Sequence, residues 1–288
     1  VGRREETAKS VRVLCRKTRS NVLMIGGRGV GKTALAGGIA AMLDKGEVPA
    51  KLKDYVMMEL NISMLLGGAK IGGDLEGRIQ GIMDAIAEED CVIVYIDELR
   101  SLGGLNRMDD SSKDILSLLI PYFKSGKVKF IISATPEDIK KLSAHDSGAL
   151  GLFRQIEIDE PSDEEAEKIL KGVTKELAAY HKVKYDRNAA SHAVSMSRRY
   201  SLDRCLPDKA IDLLDEAGAY AHTHGEEKVT KKTVDLALAD ICRIDVEASS
   251  GDTREDLLHM EERLGKRIYG QDKAIKTITE AILMSKAG

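Results

Sequence analysis

Residues 21–40 read NVLMIGGRGVGKTALAGGIA, and no other stretch restricts the fold as tightly. The apolar run Val22-Leu23-Met24-Ile25 has the composition of a fully buried strand. It enters Gly26-Gly27-Arg28-Gly29-Val30-Gly31-Lys32-Thr33, which fits G-x-x-x-x-G-K-[ST], and an alanine-rich helix follows from Ala34. Strand, glycine-rich turn and helix in that order make a phosphate-binding loop. The glycines let the backbone curl until several N–H groups converge on one anion, and the helix N-terminus adds its partial positive charge. The pattern assigns Lys32 to the β- and γ-phosphates of ATP and the Thr33 hydroxyl to Mg²⁺. An ordinary glycine turn would not combine strand, spacing, Lys-Thr and helix.

A second signal lies in residues 91–99, CVIVYIDEL. Five apolar residues, Val92 to Ile96, lead straight to Asp97-Glu98. Ligands of parallel sheets bind at the carboxyl ends of the strands. There Asp97 is expected to hold Mg²⁺ through water, and Glu98 to orient or deprotonate the attacking water. Alone, an acidic pair at a strand end is more often a solvated edge; beside the phosphate loop the functional reading prevails. Residues 127–134, KVKFIISA, read as another buried strand with Thr135 at its end, placed to sense a γ-phosphate or position water. A lone Thr there is usually structural, so that role needs support from elsewhere.

Strand-like and helical stretches alternate from residue 21 to 159, including a strand over Tyr55 to Leu60 and a short one at Ile156 to Ile158. This is the pattern of a doubly wound, parallel α/β sheet. Residues 65–78, LLGGAKIGGDLEGR, read as a glycine-rich loop, either a plain turn or a contact loop for an extended polypeptide, then a helix capped by Asp74. A helix over 113–123 is expected to break near Pro121. Beyond Asp159-Glu160-Pro161-Ser162 the pattern is helical over 163–180, 187–200, 208–222 and 231–244, with no further strand. The expected division is therefore 1–160 as an α/β nucleotide-binding domain and 161–248 as a small all-α domain. Residues 249–288 are read as a linker and the start of a further unit.

Acidic and basic residues nearly balance, with a net charge of −3, which argues against a nucleic-acid grip or a basic membrane-binding face. No apolar run reaches the roughly 18–20 residues of a spanning helix. The four cysteines are isolated and read as reduced thiols in a cytoplasmic protein, and the six histidines form no ligand pattern with them.

An α/β phosphate-loop domain followed by a helical one, with Glu immediately after the acidic strand's Asp, resembles the AAA+ ATPases. Val1-Gly2-Arg3, Val13-Leu14-Cys15-Arg16, residues 67–74, Asp159-Glu160-Pro161-Ser162 and Leu206-Pro207-Asp208-Lys209-Ala210-Ile211-Asp212 look like the first ATPase domain of the Clp/Hsp100 unfoldases. Asp215-Glu216-Ala217-Gly218 and Gly270-Gln271-Asp272-Lys273-Ala274-Ile275 are similar to its ClpA-like members, the latter to the opening of a second ATPase domain. The resemblance implies a homohexameric ring that uses ATP to pull tagged or unfolded proteins, some brought by adaptors, through a pore to a ClpP-like peptidase. It places adenine near Val1, Ile169, Pro207 and Asp208 under a helical lid, and a substrate-gripping pore loop at Lys70, Ile71 and Gly72.

Three departures stand out. The family carries two arginines before a Phe ahead of the DEPS segment, whereas Gly151-Leu152 precede Phe153 here. The trans-acting arginine fingers are thus expected to be missing and hydrolysis to be slow; Arg154, one residue beyond Phe153, is a candidate substitute that leaves from a different backbone position. Ile71 stands where the pore loop has an aromatic, and Gly72 where it usually has Arg. Leu99-Arg100 replace a usual Ile-His, with no expected effect on the chemistry. Two readings remain: a hydrolysing unfoldase module, or an ATP-binding, ring-assembly module with little hydrolysis.

Overall fold

A computed structural model of the chain describes residues 2–67, 72–102, 115–145, 147–200, 204–242, 259–266 and 268–287. Five strands form one parallel sheet: β1 (Asn21–Ile25), β2 (Val56–Glu59), β3 (Val92–Ile96), β4 (Lys129–Ala134) and β5 (Phe153–Glu157), in the order β2-β3-β4-β1-β5. β1 lies between β4 and β5, with Val22 opposite Ile131 on one side and Arg154 on the other. The loop after β1 therefore leaves an interior strand, one in from the β5 edge, where a neighbour on each side fixes its root.

Period-two alternation divides the strand side chains between two faces. Val22, Met24, Ile93, Tyr95 and Ile131 pack under α1 (Arg4–Leu14) and α2 (Lys32–Asp44). Leu23, Val94, Ile96, Phe130 and Ile132 pack under α3 (Ile62–Gly67), α4 (Gly72–Glu88) and α5 (Ile115–Ser125). The three phenylalanines of the chain meet on that second face: Phe123 stands edge-on to Phe130 at 4.6 Å and to Phe153 at 4.9 Å between ring centroids. Phe153 thus points inward, and its neighbour Arg154 must face the other way.

Asn21 is the polar bolt of this sheet. Only 2% exposed, it donates from Nδ2 to the carbonyls of Phe123 (3.0 Å) and Leu152 (3.4 Å) and accepts the Phe130 N–H at 3.1 Å. One side chain so ties β1 to β4, to α5 and to the approach to β5. Asn21→Ala is expected to destabilise the fold by about 2–4 kcal/mol, because buried main-chain groups lose their partners. Urea unfolding checks this, and a loss under about 1 kcal/mol would mean that water replaces the amide.

Several local expectations change. A short helix, α3, ends at Gly67 inside the glycine-rich stretch, and α4 begins at Gly72, so Asp74 lies within the helix rather than at its N-cap. α5 runs unbroken through Pro121. Its inward residues Ile115, Leu116, Leu119 and Phe123 are buried, and that burial outweighs the hydrogen bond that proline cannot make. Two further helices, α6 (Pro136–His145) and α7 (Ser147–Leu150), connect β4 to β5.

After β5 the chain is helical: α8 (Asp163–His181), α9 (Ala189–Tyr200), α10 (Asp208–Thr223) and α11 (Lys231–Cys242). Ser162 caps α8 in a reciprocal box with Glu165. These helices share a core of their own around Leu170, Val194, Leu213, Leu214 and Val234. Two histidine–carboxylate contacts brace it, His181 with Asp215 at 2.6 Å and His192 with Asp235 at 2.7 Å. Between these helices β6 (Lys184–Tyr185) and β7 (Lys228–Val229) pair as a two-residue parallel ribbon, where the sequence pattern predicts no further strand. Such brief pairing carries no periodic signal. Residues 260–265 and 272–287 are also helical, and no helix among the described residues is long and apolar enough to cross a membrane.

Candidate nucleotide site

A cavity of about 580 Å³ opens at the carboxyl ends of β1, β3 and β4. Its floor is the loop between β1 and α2, its polar wall the ends of β3 and β4, and its roof Ile169 and Val173 of α8 with Pro207, Asp208 and Ile211. Gly29 lies at φ +84°, and a Cβ there would stand 2.6 Å from the Asp208 Cβ. That position therefore serves both the left-handed turn and the close approach of α10. Main-chain bonds seal the approach: the Cys205 N–H donates to the Arg28 carbonyl at 2.9 Å and the Asp208 N–H to the Gly29 carbonyl at 3.3 Å. The Leu206 N–H donates to Glu160 Oε1 at 2.7 Å. Arg3 fastens the loop from beneath by donating to the carbonyls of Val30 and Asp159.

The predicted residues converge here, with exceptions. Arg28, Gly29, Gly31, Lys32, Thr33, Ala34, Asp97, Glu98, Thr135, Ile169, Pro207 and Asp208 all line the cavity. Gly26 and Gly27 lie behind it, where their carbonyls accept the Lys32 ammonium, each at 2.8 Å. The Val30 side chain points into the core instead. Val1 and the pore-loop positions Lys70 and Ile71 lie outside the described residues, while Gly72 opens α4.

Thr33 Oγ1 donates to Asp97 Oδ2 at 3.0 Å, bringing together the two oxygen donors that a hard cation such as Mg²⁺ would take. Burial alone would push the Asp97 carboxyl up. Hydrogen bonds from Ser133, Tyr95 and Thr33 and the Glu98 N–H outweigh it and hold the pKa below the ordinary carboxylate value. Asp97 is therefore an anion across the neutral range, as a cation ligand must be. Lys32 is pulled the opposite way by burial, below the ordinary lysine value, while Asp97 and Asp138 oppose the shift.

Two side chains of this wall, Ser133 and Asp138, are not among the residues expected from sequence. Ser133 is fully buried; it donates to Asp97 Oδ1 at 2.5 Å and accepts the Glu98 N–H at 2.8 Å. One hydroxyl thus fixes both acids, with Glu98 in the left-handed region at φ 60°. A serine inside a strand gives no sequence signal, because its partner is set by the pairing of β3 with β4. Asp138 accepts both the Thr135 hydroxyl (2.8 Å) and the Thr135 N–H (2.9 Å), closing a cap at the start of α6. This one was legible: Thr135-Pro136-Glu137-Asp138 is a capping pattern with proline at the first helical position. The Thr135 hydroxyl is thereby held as a helix cap and would have to turn to meet a γ-phosphate.

Ser133→Ala should lower ATP turnover about tenfold and stability by about 1 kcal/mol, since it removes one of the hydrogen bonds that orient Asp97 and leaves the Glu98 N–H with Asp97 Oδ1 alone. Phosphate release and urea unfolding read the two effects. Unchanged turnover would make the hydroxyl a packing element only.

Arg154 lies elsewhere. It is exposed on β5 and lines a separate cleft of about 760 Å³ with Lys9, Arg12 and Arg16 of the α1 region.

Residues 22–158 match the family model described as ATPase family associated with various cellular activities (AAA), and residues 162–266 match the AAA lid domain. A ClpA homolog protein of Fuscovulum blasticum is 34% identical over the whole chain. The chain carries a Clp/Hsp100-type AAA+ ATPase domain. This AAA+ domain is also 37% identical over 79% of its length to the chloroplastic chaperone protein ClpD of Arabidopsis thaliana. Its whole length superposes on closed-state Hsp104 solved with ATPγS and FITC casein, with a TM-score of 0.80 and 31% identity, covering 50% of that chain. The S. cerevisiae Hsp104–ADP complex gives a TM-score of 0.78 at the same identity and coverage. The AAA+ chain spans 37% of the ClpA homolog and 25% of ClpD.

Proposed function

We propose that this chain is the ATP-hydrolysing module of a ClpA-like protein unfoldase. In this reading six copies form a ring, and hydrolysis drives unfolding and threading of proteins towards a ClpP-like peptidase. The observation that carries the proposal is the Thr33–Asp97 contact at 3.0 Å beside Lys32 and Glu98, under a roof of lid residues. The loop amides and Lys32 bind the phosphates. Thr33 and Asp97 hold Mg²⁺, which when bound screens the phosphate charge. Glu98, whose main-chain N–H donates to Ser133 Oγ, takes the proton of the attacking water. Ile169, Pro207 and Ile211 offer the apolar walls an adenine ring requires. Residues 1–160 and 161–248 serve as the two halves of the nucleotide clamp, and residues 249–288 lead into a second ATPase unit. Lys70 and Ile71, with Gly72 at the start of α4, grip the substrate. A reducing, cytoplasmic compartment suits the four unpaired cysteines.

The test is phosphate release from ATP over a range of protein concentrations, with Glu98→Gln as control. Slow turnover clearly above that control is expected. Tight ATP binding with no turnover above it would favour the second reading, an ATP-binding ring-assembly module. That reading draws on Gly151-Leu152 standing where the family has arginines.

A further inference from the structure

We propose that Arg28, on the chain's own phosphate-binding loop, supplies the cation that meets the γ-phosphate of ATP in the transition state. This rests on the ATPase reading above and deepens it, because it gives an internal source for the charge that a neighbouring subunit's arginine fingers would otherwise bring.

Two cations line the nucleotide cavity, Lys32 and Arg28. Lys32 is drawn onto the carbonyls of Gly26 and Gly27 at the back of the loop. Arg28 is exposed, and its guanidinium makes no hydrogen bond or ion pair among the described residues. Its main chain is nonetheless held: the Arg28 carbonyl receives the Cys205 N–H, and the next carbonyl receives that of Asp208. The lid therefore fixes the root of a long cationic side chain at the cavity wall and leaves its head unengaged.

The charge balance of the cavity calls for such a group. Asp97, Glu98, Asp138 and Asp208 all line it; Asp208 is paired with Arg204 at 3.3 Å, so the other three carboxylates face two cations before any phosphate enters. In hydrolysis the water oxygen forms a bond to the γ-phosphorus, and the bond to the β–γ bridging oxygen breaks. The water proton passes to Glu98, and ADP leaves with the electron pair. Charge builds on the γ-oxygens and the bridging oxygen, and a guanidinium presents paired N–H donors to such oxygens at every working pH. Arg154 is no rival within the same chain, because it lines the other cleft with Lys9, Arg12 and Arg16.

The experiment compares wild type, Arg28→Ala, Arg28→Lys and Arg154→Ala. The readouts are steady-state turnover, and affinity for ADP alone and for ADP with aluminium fluoride, with thermal melting as the folding control. Arg28→Ala is expected to lower kcat by about 100-fold or more and to lose tight fluoroaluminate binding, with ADP affinity changed less than about threefold. Arg28→Lys should recover part of the rate, and Arg154→Ala should turn over as wild type does. Wild-type turnover in Arg28→Ala would overturn the proposal. So would equal weakening of ADP with and without aluminium fluoride, or a loss confined to Arg154→Ala. A wild type no faster than Glu98→Gln would defeat the hydrolysis reading instead, and the fluoroaluminate comparison would still decide the role of Arg28.

Discussion

Replacing Glu98 by Gln is expected to cut ATP turnover by about 10²–10⁴-fold while the protein still binds ATP. The substitution keeps the size and hydrogen-bonding capacity of the side chain and removes its ability to take a proton. It leaves the local backbone untouched: the residue 98 N–H still donates to Ser133 Oγ and to Asp97 Oδ1. Phosphate release and equilibrium nucleotide binding, measured on the same preparation, separate the two functions. Turnover within threefold of wild type would remove Glu98 from the reaction and leave the acidic pair as a cation site only.

The second large effect is on affinity. Lys32→Ala should weaken ATP binding by about 10–100-fold, the worth of one charge-assisted contact to phosphate. The ammonium now lies against the carbonyls of Gly26 and Gly27, half-buried and with its pKa lowered by that burial. A triphosphate in the cradle would compete with those carbonyls for it. Because a partly desolvated ammonium is itself costly, the alanine variant should lose nucleotide without losing the fold. Titration with a fluorescent ATP analogue, alongside a melting curve, tests both halves. Binding equal to wild type would mean that the phosphates lie elsewhere.

The loop, the acidic pair and the α/β character were legible because each depends on neighbours in sequence. Glycine spacing sets the turn that gathers the amides, and five consecutive apolar residues demand a buried strand wherever it lies. The lid contacts at Pro207 and Asp208 came from resemblance rather than from spacing, since nothing local ties residue 208 to residue 29. Pro121 misled because intrinsic propensity argued for a break that burial of Leu119 and Phe123 overrides. Asp74 misled because a good capping residue is only as useful as the helix start it falls on.

The sequence by itself determined that a glycine-rich turn joins a buried strand to a helix here and that a carboxylate pair stands at the end of a second buried strand. Those facts follow from backbone stereochemistry and from apolar runs, which act over a few residues. Tertiary structure alone decided that Ser133 links Asp97 to Glu98, that Asn21 ties β1 to β4, to α5 and to the approach to β5, and that Phe153 turns inward so Arg154 faces the α1 cleft. It also decided that Arg28 stands in the cavity with its guanidinium unengaged among the described residues. Each of these depends on parallel strand register and on main-chain bonds between residues far apart in sequence. Such pairings are chosen by the global burial of side chains, which no local pattern encodes.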